Sequence, residues 1–179
     1  MLIREAAAMI DCPVLNRAEK PAAWADLGCG AGTFTQALAS LLPLQSTIYA
    51  IDKVNTLRME QPARAGIHYR FQQADFVSDD LALPLLDGIL MANALHYVKD
   101  KDALLQKIMA YCKPEAVFLI VEYDTDQPVP HWVPYPIKFS LLSELFSDHG
   151  FAYCTRLQER PSLYRRDNLY SALIQKTGS

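Results

Sequence analysis

The residues best placed to do chemistry fall into two groups. The first is Asp26-Leu27-Gly28-Cys29-Gly30-Ala31-Gly32, an acid followed by three glycines at every second position. The second is a series of polar residues, Asp26, Asp52, Asp75 and Asn93, separated by 26, 23 and 18 residues. Alternate glycines let the chain turn sharply and let a ligand approach the main chain. A helix starting directly after such a turn aims its unpaired N–H groups and the positive end of its dipole at the ligand. The pattern is therefore a nucleotide site. The dinucleotide fingerprint needs a glycine three positions after Gly30, where this chain has Thr33. Asp26 also sets a carboxylate beside the turn, which disfavours a pyrophosphate and favours a ligand with a cationic amino group.

Elements must carry these residues to one place. Apolar β-rich runs at 22–27, 47–51, 66–71, 85–93 and 116–121 predict strands. Periodic segments at 2–11, 32–42, 102–112 and 138–148 predict helices, with a weaker one at 55–65 interrupted by Pro62. Residues 151–177 read as two strands around a polar turn near 161–167, an antiparallel pair at the sheet edge. Strand–helix alternation predicts an α/β fold with a mostly parallel sheet. The four polar residues then stand at the carboxyl ends of successive strands, where such sheets bind ligands. Residues 1–19 form a helical lead-in or a cover over the site, and 20–179 a single domain.

The rest of the composition narrows the function classes. A net charge of −3 gives no reason to expect a nucleic-acid partner. Cys12, Cys29, Cys112 and Cys154 show no zinc or disulfide spacing, so no metal is expected and the thiols read as reduced. With neither a secretory signal nor a membrane-length apolar run, the expected location is the cytoplasm.

The ligand that unites an adenosine with an ammonium-bearing tail is S-adenosylmethionine. From about residue 20 onward the chain resembles class I S-adenosylmethionine-dependent methyltransferases of the small-molecule group. Asp26 to Gly32 is similar to that family's first motif, Asp52 to its ribose-binding acid, and Ala74-Asp75-Phe76 to its adenine-contacting turn. Asn93-Ala94-Leu95-His96-Tyr97-Val98 resembles the segment after its fourth strand. The resemblance implies a Rossmann-like three-layer sandwich with a seven-stranded, mostly parallel sheet and an antiparallel last strand. It implies cofactor contacts at Asp26, Gly28, Cys29, Gly30, Gly32, Asp52, Lys53, Asp75, Phe76 and Asn93. Lys53 departs from the small or apolar residues that relatives often carry beside the adenosine. No Asn/Asp-Pro-Pro-aromatic motif is present, which disfavours methylation of nucleobases or glutamine.

The expected reaction is in-line methyl transfer to a small-molecule acceptor, in which orientation supplies much of the acceleration. His96 is the candidate general base, with a structural or cofactor-edge role as its alternative. Substrate contacts are expected from Tyr97, Tyr123, His131, Trp132 and Tyr135, the last three on a proline-rich connection at 124–136 that also reads as a plain surface loop. Two other functions fit the residues: an NAD-dependent oxidoreductase, and a non-catalytic scaffold that binds S-adenosylmethionine.

Overall fold

The computed structural model describes residues 1–56, 64–161 and 168–176. Five strands run parallel: β1 (Ala23–Leu27), β2 (Thr47–Asp52), β3 (His68–Gln73), β4 (Leu86–Ala92) and β5 (Cys112–Tyr123). Two more, β6 (Tyr153–Pro161) and β7 (Asn168–Gln175), complete a seven-stranded sheet in the order β3-β2-β1-β4-β5-β7-β6. β7 is antiparallel to both of its neighbours. The order reverses between β1 and β4, which opens a crevice beyond their carboxyl ends.

Alternation along the strands splits the core into two apolar layers. In β5, Phe118 and Ile120 face one layer, while Val117, Leu119 and Val121 face the other. The first layer is covered by α4 (Lys101–Met109) and α5 (Phe139–Asp148), through Leu105, Ile108, Leu142 and Phe146. The second is covered by α1 (Ile3–Ile10) and α3 (Thr33–Leu41), through Met9, Ile10, Ala37 and Leu38. A helix layer on each side of one sheet is the three-layer sandwich expected. On β4, Gly88 lets the Trp24 indole pack on the strand, since a Cβ there would lie 2.4 Å from a ring carbon.

Some boundaries differ from the sequence reading, each for a local reason. β5 starts at Cys112, ahead of Pro114, because the ladder to β4 shifts register between Leu86 and Gly88 and an irregular ladder tolerates proline. The helix expected to reach Cys112 therefore ends at Met109. A short α2 (Pro13–Asn16) starts on Pro13, whose fixed φ suits a first helical turn. The weak helix at 55–65 falls mostly outside the described residues, as does the turn at 162–167. The segment at 1–19 covers α3 and the β5–β7 region, and Ser171 Oγ donates to the Met9 carbonyl at 2.6 Å. Among the described residues, no helix is long and apolar enough to cross a membrane.

Candidate functional site

The glycine turn is held from below. Gly28 and Cys29 donate their N–H groups to the Ile51 carbonyl at 2.8 and 3.1 Å, tying the end of β1 to β2. Gly28, Gly30 and Gly32 all have positive φ, at +79°, +52° and +87°. That region is costly for side-chain-bearing residues, so the alternating glycines are a backbone requirement. Asp52 closes the turn from the side: its carboxylate accepts from Gly30 N–H at 2.9 Å and from Val54 N–H at 3.0 Å.

Above the turn lies a cavity of about 610 Å³. Gly28, Cys29, Gly30 and Asp52 form one wall, and Phe76, Asn93 and Ala94 another. Lys53 stands at the mouth, where its ammonium pairs with Asp75 at 2.9 Å. Of the ten expected cofactor residues, Asp26, Gly32 and Asp75 do not line this cavity. Gly32 instead caps α3 in the left-handed conformation. Asp75, expected to meet an adenine amine, accepts from Lys53 and from Val77 N–H. Those bonds hold its carboxyl below the usual range against the opposing effect of partial burial.

Asp26 departs furthest from expectation. It lies within β1, 1 % exposed, and accepts from Thr35 Oγ at 2.5 Å. Burial pushes its pKa up to about 7, only partly offset by the Thr35 bond. It stands beneath the glycine turn and not in the cavity wall. A carboxyl near 4 in the unfolded chain and near 7 in the fold binds more protons when native, so stability falls as pH rises from 4 to 7. Asp26→Asn is expected to remove that fall, worth up to about 4 kcal/mol. The variant should melt above the parent at pH 8 and level with it near pH 4; an equal offset at both would disprove the assignment.

Beyond β4 the chain enters a 3₁₀ turn, Leu95–Tyr97, that buries His96. Its Nδ1 lies 2.6 Å from Glu122 Oε2 on β5, and its backbone N–H donates to Oε1 at 3.1 Å. Both side chains are almost wholly buried, at 3 % and 1 % exposure. The carboxylate accepts a hydrogen bond from Nδ1–H, the tautomer that leaves the lone pair of the ring on Nε2. A second cavity of about 230 Å³ is lined by His96, Asn93, Tyr97, Tyr123 and Trp132. Asn93 and Tyr97 line both cavities, so the two meet there. Asn93 sits at φ +54°, and its buried Oδ1 finds no hydrogen-bond partner among the described residues. A stranded acceptor of this kind is costly unless a ligand supplies the donor.

The proline-rich connection is fastened to this turn. Tyr135 N–H donates to the His96 carbonyl at 2.9 Å, and Lys101 Nζ donates to the carbonyls of Val98 and Tyr135, each at 2.8 Å. Val129 and Val133 bridge, which presents Trp132 to the smaller cavity. His131 and Tyr135, both expected at the substrate, line neither cavity: His131 is exposed at the tip at φ +66°, and Tyr135 lies outside over Lys101. His68 lies in β3, and His149 ends α5 against Asp102. The pairing of Glu122 with His96 is not legible in the sequence, because it needs the β4–β5 register. Val54 and Val77 also line the larger cavity and carried no motif signal.

Residues 5–178 match the family model described as "Methyltransferase domain". No curated protein matches the chain. Among solved structures, the chain is similar to the 1,6-didemethyltoxoflavin-N1-methyltransferase of Burkholderia thailandensis with bound 1,6-didemethyltoxoflavin and S-adenosylhomocysteine. Identity there is 22 %, over 98 % of this chain and 78 % of that one, with a TM-score of 0.69. A SAM-dependent methyltransferase of Methanosarcina mazei shares 15 % identity over 93 % and 98 % of the two chains, with a TM-score of 0.64. Human N-acetylserotonin methyltransferase in complex with SAM shares 22 % over 96 % of this chain but 51 % of its own, with a TM-score of 0.65. At these identities the likenesses speak for the fold.

Proposed function

The chain belongs to the methyltransferase-domain family, and from that premise we propose that it transfers a methyl group from S-adenosylmethionine to a small-molecule acceptor by in-line displacement. One observation carries the reading: a nucleotide-sized cavity on the glycine turn meets, at Asn93 and Tyr97, a smaller one that holds a buried His–Glu pair. Structures of that fold with S-adenosylhomocysteine or SAM bound support the choice of ligand.

The residues fit such a ligand. Gly28 and Gly30 let it lie on the main chain, Asp52 offers a carboxylate to ribose hydroxyls, and Phe76 an apolar face to the adenine. The stranded Oδ1 of Asn93 can accept from the ammonium of the tail. Bound there, S-adenosylmethionine supplies a methyl carbon already activated by its sulfonium, with the bonding pair remaining on sulfur after transfer. The chain's task is to orient the acceptor and take its proton. Nε2 of His96 is the atom that receives it, and Glu122 steadies the charge that forms on the ring. Free thiols at all four cysteines support a reducing, cytoplasmic setting.

Calorimetry with S-adenosylhomocysteine tests the reading. Binding is expected, with none for NAD, and absence of heat on folded protein would refute it. Asp52→Ala should weaken binding about tenfold to a hundredfold, since hydrogen bonds to a charged acceptor contribute about 1.5–3 kcal/mol. An unchanged Kd would remove Asp52 from the ribose site. Turnover with labelled S-adenosylmethionine separates an enzyme from a binding scaffold.

A further inference from the structure

We propose that the acceptor is an uncharged aromatic hydroxyl compound, seated in the smaller cavity with its ring against Tyr97, Tyr123 and Trp132 and its O–H on Nε2 of His96. The inference rests on the methyltransferase reading above and adds to it the chemical class of the substrate.

The cavity's walls make the first argument. Among the described residues, three of the five that line it are tyrosine or tryptophan, and the other two, Asn93 and His96, carry the polar groups. Tyr123 is buried, whereas Tyr97 and Trp132 are 55 % and 50 % exposed. Flat apolar faces on a half-open rim suit a flat ring, since aromatic pairs gain from stacked or edge-on contact beyond simple burial. Trp132 is also held in step with the base, because the Tyr135–His96 bond fastens its loop to the 3₁₀ turn. At about 230 Å³ the cavity suits one or two fused rings, with any larger body lying across the rim.

Charge makes the second argument. Among the described residues, no lysine or arginine lines the cavity. The nearby Lys101 is already committed to two carbonyls and to the face of Tyr135, 5.9 Å from the ring centre. A carboxylate or phosphate on the acceptor would enter beside buried Glu122 with no counter-charge from the described residues, and an uncompensated buried charge is strongly disfavoured. Acidity makes the third. A hydroxyl on an aromatic ring ionises near pH 10, far below water, so it yields its proton to a neutral imidazole far more readily than an alkyl hydroxyl does. Tyr97 is kept protonated by partial burial and by the Glu122 charge, so it does not compete as a base.

Three matched probes test the class: 2-naphthol, its saturated analogue 2-decalol, and 3-hydroxy-2-naphthoate. Their binding to protein loaded with S-adenosylhomocysteine is measured by calorimetry, and methyl ether formation by mass spectrometry with S-adenosylmethionine. 2-Naphthol is expected to bind at least tenfold more tightly than either analogue and to be methylated at its oxygen. Trp132→Ala should raise its Kd about tenfold and leave the Kd for S-adenosylhomocysteine unchanged. Equal binding of 2-decalol, preference for the naphthoate, or no binding of 2-naphthol to the loaded protein would each overturn the inference. Failure of S-adenosylhomocysteine itself to bind would instead strike the methyltransferase reading, and the acceptor class with it.

Discussion

Replacing His96 by glutamine is expected to slow methyl transfer by 10²- to 10⁴-fold while the Kd for S-adenosylhomocysteine stays within about twofold. That range is what a positioned general base typically contributes. The histidine is held at two points, by Glu122 Oε2 on Nδ1 and by Oε1 on its own backbone N–H, so the ring has one orientation and one nitrogen to offer. Glutamine is preferred to alanine because it leaves a side-chain donor near Glu122, which would otherwise be a buried charge short of a partner. The backbone bond to Oε1 and the Tyr135 bond to the residue-96 carbonyl survive the change. Single-turnover rates with saturating S-adenosylmethionine give the measurement. If His96 only braces the loop, the variant will melt at a lower temperature yet transfer methyl groups at the parent's rate.

Gly28→Ala is expected to weaken S-adenosylhomocysteine binding by a hundredfold or more and to lower the melting temperature as well. A Cβ at this position would stand 2.6 Å from the Ala94 Cβ and 3.5 Å from Phe76 Cε1. The clash is with a short side chain, and relief requires the backbone after β4 to move. Ala94 and Phe76 both line the larger cavity, so such relief moves its wall. The φ of +79° adds the cost of a left-handed conformation, about 1–2 kcal/mol for a residue with a side chain, to an overpacking cost of about 1–3 kcal/mol. Gly30→Ala makes the contrast, because a Cβ there meets no atom of the described residues within 4 Å. It should strain the turn without moving the Ala94 wall. Calorimetry and thermal melts of the two variants distinguish them; equal binding by Gly28→Ala and the parent would mean that the turn tolerates a side chain.

The sheet was legible because its strands are short apolar runs with polar residues at their ends. Asp52 closes β2 and Asn93 directly follows β4, as the spacing required. Glycine spacing gave the turn, since a backbone constraint is written into residue type. Side-chain partnerships were less accessible. Asp26 reads from charge and spacing as an acid facing the ligand's amino group, yet its place inside β1 directs it beneath the turn to Thr35 on α3. Asp75 is met by Lys53, a partner supplied by the parallel register of β2 and β3. The His96–Glu122 pair spans 26 residues and exists only because β4 and β5 are neighbours. His131 and Tyr135 lie on the right loop, but a loop's residue types do not say which of its side chains turn inward.

The place of β7 has a consequence for biogenesis. β6 is made first, yet it joins the sheet only through β7, which inserts between it and β5. While a ribosome is still adding residues 168–175, both β5 and β6 present open edges, and long-range pairing of this kind is slow and prone to aggregate. The N-terminal helix waits too, since its Met9 carbonyl is satisfied by Ser171. Nascent chains stalled before residue 168 should therefore call on chaperones, and release from them should follow the emergence of that one strand.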